Sequence, residues 1–134
     1  MKNDHVFVDT SAFYALMDRS DISYSQAYSL FALLLEKDTF LHTNNYIVIE
    51  TLALIQSRLG FEAASLWYND VLSVVQILWI DKSIHNNAFA LWLRSGKRKL
   101  SFVDCISFVT MQHYRLKKIF TFDKHFAEHG FEII

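Results

Sequence analysis

Three short apolar runs in this chain each end at an aspartate. His5 to Val8 stops at Asp9, Val74 to Ile80 stops at Asp81, and Lys118 to Phe122 stops at Asp123. Short runs rich in β-branched and aromatic residues read as buried strands. Thr39 to His42 and Phe131 to Ile134 add two further short strands. Between the strands the apolar residues fall at helical spacing. Ala27, Leu30, Phe31, Leu34 and Leu35 mark one face of a helix that begins near Ser25. Asn44 or Asn45 can cap a helix over Tyr46 to Leu59, which Gly60 stops. Further helices are predicted over Glu62 to Leu72, around Ile84, Ala88, Leu91 and Trp92, over Phe102 to Tyr114, and briefly near Lys124 to Glu128. Strands alternating with helices imply a three-layer α/β/α sandwich around a central, mainly parallel sheet.

Composition narrows the alternatives. Three glycines and no proline among 134 residues leave few breakers for the tight turns of a β-sandwich or small barrel. Apolar residues at 52% and charged residues at 20% exclude intrinsic disorder. They also exceed what one small core readily buries, which favours an oligomer or a stable partner. No apolar run reaches the roughly 18 residues of a membrane span, and no repeat or linker divides the chain, so residues 1–134 read as one domain. A lone cysteine, Cys105, and the absence of a leader-like apolar segment point to a reducing, cytoplasmic setting.

In an open parallel sheet, ligands bind beyond the carboxyl ends of the strands. Asp9, Asp81 and Asp123 occupy such ends, while Glu50 and Asp104 sit early in helices whose other residues are mostly apolar. Carboxylates that converge without lysines repel one another, and a divalent cation with hard oxygen ligands relieves that repulsion. Mg²⁺ or Mn²⁺ is the expected cofactor. Asp81 reads better as a helix cap.

These residues carry a family resemblance. Val8-Asp9-Thr10-Ser11-Ala12, then Glu50 within Ile49-Glu50-Thr51, then Ser101-Phe102-Val103-Asp104-Cys105, then Thr121-Phe122-Asp123-Lys124-His125-Phe126 together resemble a PIN domain, and more narrowly the VapC-type toxins of prokaryotic toxin–antitoxin pairs. The resemblance implies an endoribonuclease that hydrolyses RNA phosphodiesters with Mg²⁺ or Mn²⁺. It assigns Asp9, Glu50, Asp104 and Asp123 as catalytic and metal-binding acids, with Thr10, Ser11 and Thr121 in supporting positions. It further implies a homodimer and a small antitoxin partner whose tail enters the acidic pocket. Cys105 departs from the alanine common there, and Asp18 to Ala27 lacks a histidine often found in the family.

Other readings remain open at this level: a PIN-like module that binds RNA or protein without cleaving, and a housekeeping nuclease without an antitoxin. Thirteen Lys and Arg against fourteen Asp and Glu give a net charge of −1, which excludes polybasic, whole-surface nucleic-acid binding. Local basic clusters are therefore the candidates for RNA contact: Arg94, Lys97, Arg98 and Lys99 in one loop, and Arg115, Lys117 and Lys118 beyond. The string His125-Phe126-Ala127-Glu128-His129 spells an inverted zinc-peptidase motif, but only Glu132 follows it as a candidate further ligand. Cys105 has no histidine partner and reads as a buried structural thiol.

Overall fold

The computed structural model describes residues 3–96 and 100–134. Five strands form one sheet in the order β3-β2-β1-β4-β5, and every pair is parallel: β1 (His5–Val8), β2 (Phe40–Asn44), β3 (Gln76–Leu78), β4 (Lys118–Phe120) and β5 (Glu132–Ile133). Val6, Phe7 and Val8 of the central strand are all buried, as a strand covered on both faces requires. The chain runs β1-β2-β3 towards one edge, then crosses back to β4 and β5. Right-handed crossovers in opposite directions put helices on both faces. α1 (Thr10–Met17), α2 (Tyr24–Glu36), α3 (Asn45–Leu59) and α4 (Phe61–Leu66) pack among themselves, and α5 (Lys82–Ser95) packs on α6 (Phe102–His113). A short α7 (His125–Glu128) leads into β5. Among the described residues no helix is long and apolar enough to cross a membrane.

The sheet order creates a switch point between β1 and β4. From β1 the chain moves to one side and from β4 to the other, which opens a crevice above their carboxyl ends. The Asp9 N–H donates to the Phe120 carbonyl at 3.1 Å, so the β1–β4 ladder carries Asp9 to the lip of that crevice.

Three boundaries differ from the sequence expectation. Val74 to Ile80 does not form a central strand: only Gln76–Leu78 pairs, at the sheet edge and with β2 alone. The Asn45 side chain accepts the Ile80 N–H at 2.7 Å and draws the chain off the ladder, leaving Trp79 exposed. The expected helix over Glu62 to Leu72 breaks at Leu66 into a π-turn (Trp67–Val71) and a 3₁₀ turn (Leu72–Val74), with the Trp67 ring wholly buried against Phe13. α1 is an additional helix; its fully buried Ala12 and Phe13 show no amphipathic stripe long enough to advertise it.

Asn44, wholly buried at the end of β2, does two jobs. Its side-chain oxygen accepts the Ile47 N–H at 2.8 Å and caps α3, and its amide donates to Thr110 on α6 across the sheet. Gly60 closes α3 with φ of 101°, a left-handed backbone that side chains resist. Asn44→Ala should lower unfolding stability by about 1–2 kcal/mol, combining a lost cap with the lost bond to Thr110, whose hydroxyl still donates to the Ile106 carbonyl. Urea denaturation would measure it, and a loss below about 0.5 kcal/mol would contradict the double role.

Candidate active site

Asp9 stands at the N-cap position of α1 but makes no capping bond. Its carboxylate is held by two hydroxyls instead. Ser11 Oγ donates at 3.0 Å and Thr121 Oγ1 at 2.9 Å, both to Oδ2, so Oδ1 carries neither. The two hydroxyls also lie 3.0 Å from each other, and each oxygen has lone pairs left to accept a backbone N–H. Ser11 accepts the Phe122 N–H at 2.9 Å and Thr121 accepts the Asp123 N–H at 3.0 Å. The start of α1 and the turn after β4 are thus stitched together through one carboxylate oxygen.

The other acids arrive from separate elements. Glu50, on the second turn of α3, accepts the Thr10 hydroxyl at 2.7 Å, and Thr51 in turn donates to Thr10. Asp104 is the third residue of α6, where it forms a capping box: Ser101 Oγ accepts the Asp104 N–H at 3.0 Å, and the Asp104 carboxylate takes the Ser101 N–H. Asp123 follows β4, and its Oδ1 accepts both the backbone N–H of His125 at 2.9 Å and the His125 Nδ1 at 2.8 Å.

Asp9, Thr10, Ser11, Glu50, Asp104 and Asp123 line one open cleft of ≈ 590 Å³, walled on one side by Ala53 and Leu54. Among the described residues no lysine or arginine lines it. Burial pushes the Asp9 carboxyl up to about 6, with Asp104 adding to the rise and the Thr121 and Ser11 hydroxyls opposing it. Burial also raises Asp104; the Ser101 N–H opposes that rise and the Asp123 charge adds to it. Among the described residues no three acid, histidine or cysteine side chains close on a single point. The cleft is therefore an open, oxygen-lined and negatively charged surface rather than a finished cage.

The structure brings together all seven residues expected at the site except that Thr121 lies just beneath the lining, bonded to Asp9. Asp81 stays apart and caps α5 by accepting the Ile84 N–H at 2.9 Å. Arg94 is exposed on the last turn of α5, outside the cleft, while Lys97, Arg98 and Lys99 lie outside the described residues. Lys118 is engaged by Asp4 at 3.0 Å. The histidines of the peptidase-like string diverge, His125 to Asp123 and His129 onto Phe108. Two supports went unassigned in the sequence: Ser101, visible in hindsight as the start of Ser-x-x-Asp, and His125, for which spacing alone offers no signal.

The sequence profile of the PIN domain matches residues 6–132. VapC20 of Mycobacterium tuberculosis, a 23S rRNA-specific endonuclease, is 32% identical over 127 residues, spanning 94% of this chain and 95% of that protein. The crystal structure of the same VapC20, described as a sarcin–ricin loop cleaving toxin, superposes with a TM-score of 0.84 at 29% structure-aligned identity, covering 94% and 95% of the two chains. FitAcB of Neisseria gonorrhoeae (TM-score 0.68, 16% identity, 96% of each chain) and PAE2754 of Pyrobaculum aerophilum (0.66, 21%, 98% and 89%) share the fold.

The strained charge of Asp9 has a measurable consequence. An acid raised from 3.8 to about 6 on folding binds its proton more tightly in the native state. Its penalty is absent below the unfolded value, grows between the two, and is complete above pH 6, where it reaches on the order of 3 kcal/mol. In chelator at pH 7.5, Asp9→Asn should therefore be more stable than wild type by about 1–3 kcal/mol, since an asparagine oxygen can accept both hydroxyls. The gain should shrink as pH falls from 6 towards 4. Thermal melts with the two proteins equal at pH 7.5 would refute this account.

Proposed function

The chain belongs to the PIN domain family, and on that premise we propose that it is a Mg²⁺- or Mn²⁺-dependent endoribonuclease acting as the toxin of a toxin–antitoxin pair. The observation that carries the reading is the Asp9 carboxylate, buried beside Asp104 in a cleft that no basic side chain lines among the described residues. The choice of RNA is supported by the ribosomal RNA named for VapC20.

The donor set suits a hard cation. Among the described residues every polar side chain lining the cleft is a carboxylate or hydroxyl, and Mg²⁺ takes one or two carboxylates while keeping several of its waters, so an open set fits it better than a cage. Asp9, Asp104 and Asp123 would hold the ion directly or through water, with Glu50 completing the shell or orienting the attacking water. Such an ion, when bound, lowers the pKa of water and neutralises phosphoryl oxygens. The protein's own part is positioning. Ser11 and Thr121 fix the plane of Asp9, Thr10 fixes Glu50, and His125 fixes Asp123. These supports keep the oxygens apart from one another until a cation and a phosphodiester arrive.

The partners follow from the surfaces. A small antitoxin would inhibit by placing a cationic side chain in the negative cleft, the position a metal and phosphate otherwise share. A homodimer is supported by the exposed Ile49, Trp79, Phe89 and Leu93, between 45% and 69% accessible, more large apolar surface than an isolated small domain favours. A cytoplasmic setting accords with an RNA substrate.

Cleavage of a structured RNA should require Mn²⁺ or Mg²⁺ and stop in chelator. Asp9→Asn and Asp104→Asn should each reduce it by about a thousandfold, the several kcal/mol a metal contributes to charge stabilisation. Thr121→Val, which touches only a ligand's support, should cost about 10- to 100-fold. Undiminished cleavage in chelator or in either aspartate variant would overturn the metal mechanism.

A further inference from the structure

The two histidines at the ends of α7 face different places. His125 serves the acidic cleft through Asp123. His129, just past the helix, stacks on Phe108 with ring centroids 4.3 Å apart and planes at 26°. Phe108 is itself buried in the core, so it fixes the plane of the imidazole while leaving His129 exposed. Around that ring lies a second cavity of ≈ 400 Å³, lined by Asn87 and Arg94 of α5, Phe108 and Gln112 of α6, and His129.

The chemistry of this groove is the reverse of the cleft's. Among the described residues no carboxylate lines it. Arg94 makes no ion pair among the described residues, and its guanidinium fork suits the oxygens of a phosphate. Asn87 and Gln112 supply amide N–H groups, and the His129 ring offers an N–H whether or not it is charged. A donor-rich, acid-free hollow with an unpaired arginine selects an oxyanion.

Helix α6 joins the two sites. Asp104, Phe108 and Gln112 follow at four-residue intervals, so the groove begins one turn beyond the catalytic acid and Gln112 lies about 12 Å along the axis. A distance of about 12 Å spans more than one nucleotide of strand, so Gln112 would meet a phosphate other than the reacting one. Gln112 also lines an adjoining hollow whose charged residues are Arg115, Lys117 and Glu132, two cations to one carboxylate. That continuation favours an extended polyanion over a single small anion. We infer that the groove of Asn87, Arg94, Gln112 and His129 is a subsite for a backbone phosphate of the RNA strand, remote from the bond that is cut. The inference rests on the ribonuclease reading and extends it to how the strand is held.

The test uses two single-stranded RNA probes, about three and about twelve nucleotides long. Affinity is read by fluorescence anisotropy in chelator at several salt concentrations, and cleavage of the longer probe is followed separately with Mn²⁺. Arg94→Gln and Gln112→Glu alter exposed residues and should leave the melting temperature in place. Each should weaken the longer probe by about five- to tenfold, with Arg94→Gln lowering the salt slope by about one. Affinity for the shorter probe should move less than twofold, and the cleavage defect should lie in KM more than in kcat. Wild-type affinity and slope in both variants, with wild-type enzyme cleaving normally, would overturn the subsite and leave the ribonuclease standing. Equal losses on both probes would also overturn it, by placing Arg94 at the reacting phosphate. Failure of the wild type to bind or cleave RNA would bring down the ribonuclease reading and the subsite together.

Discussion

One carboxylate oxygen organises this molecule's functional end. Asp9 Oδ2 is in hydrogen-bond contact with both the Ser11 and Thr121 hydroxyls, and the same two oxygens receive the backbone N–H groups of the turn at Phe122 and Asp123. Asp123 therefore takes its place through Asp9 rather than independently. The arrangement is costly at neutral pH, since burial opposes ionisation of the very group that orients its neighbours. A fold retains such a cost when the group has work to do in its charged form, and here the remaining acids of the cleft deepen rather than relieve the repulsion.

The parallel sheet is what makes this arrangement possible. Asp9 and Asp123 follow adjacent strands that diverge at the switch point, while Glu50 comes from the second turn of α3 and Asp104 from the first turn of α6, helices on opposite faces. The N-terminus of α6 carries partial positive charge that favours the Asp104 carboxylate, whereas Glu50 is held by the Thr10 hydroxyl of α1. The Ser101 capping box binds Asp104 directly into that scheme. Asn44 then ties the two helical layers together through Thr110 from the wholly buried end of β2.

Much of this was legible in the residues. The alternation of short apolar runs with helical stripes specifies the layers, and the four acids stand out because each interrupts an apolar segment. What escaped was context of two kinds. Val74 to Ile80 has the composition of a central strand, yet a side chain from Asn45 removes its end from the ladder, and no local propensity encodes a bond to a residue 35 positions away. The bend after Leu66 follows from seating a large indole against Phe13, a packing solution that the apolar period conceals. Ser11 and Thr121 were noticed for their nearness to the acids, but their shared oxygen depends on two chain segments 110 residues apart.

The separation of sign across α6 bears on the order in which a strand could bind. Cys105, beside Asp104, contributes nothing to that field: it is fully buried, and its thiol is raised by burial and by the neighbouring carboxylate, so it stays protonated and apolar. The cleft gathers four carboxylates, and an RNA phosphate entering it uncompensated would meet like charge at short range. The groove at Arg94 and His129 presents no such barrier. A net charge near zero thus conceals two unlike surfaces joined by one helix, a carboxylate-lined cleft at its first turn and a hollow lined by an arginine and amide donors farther along.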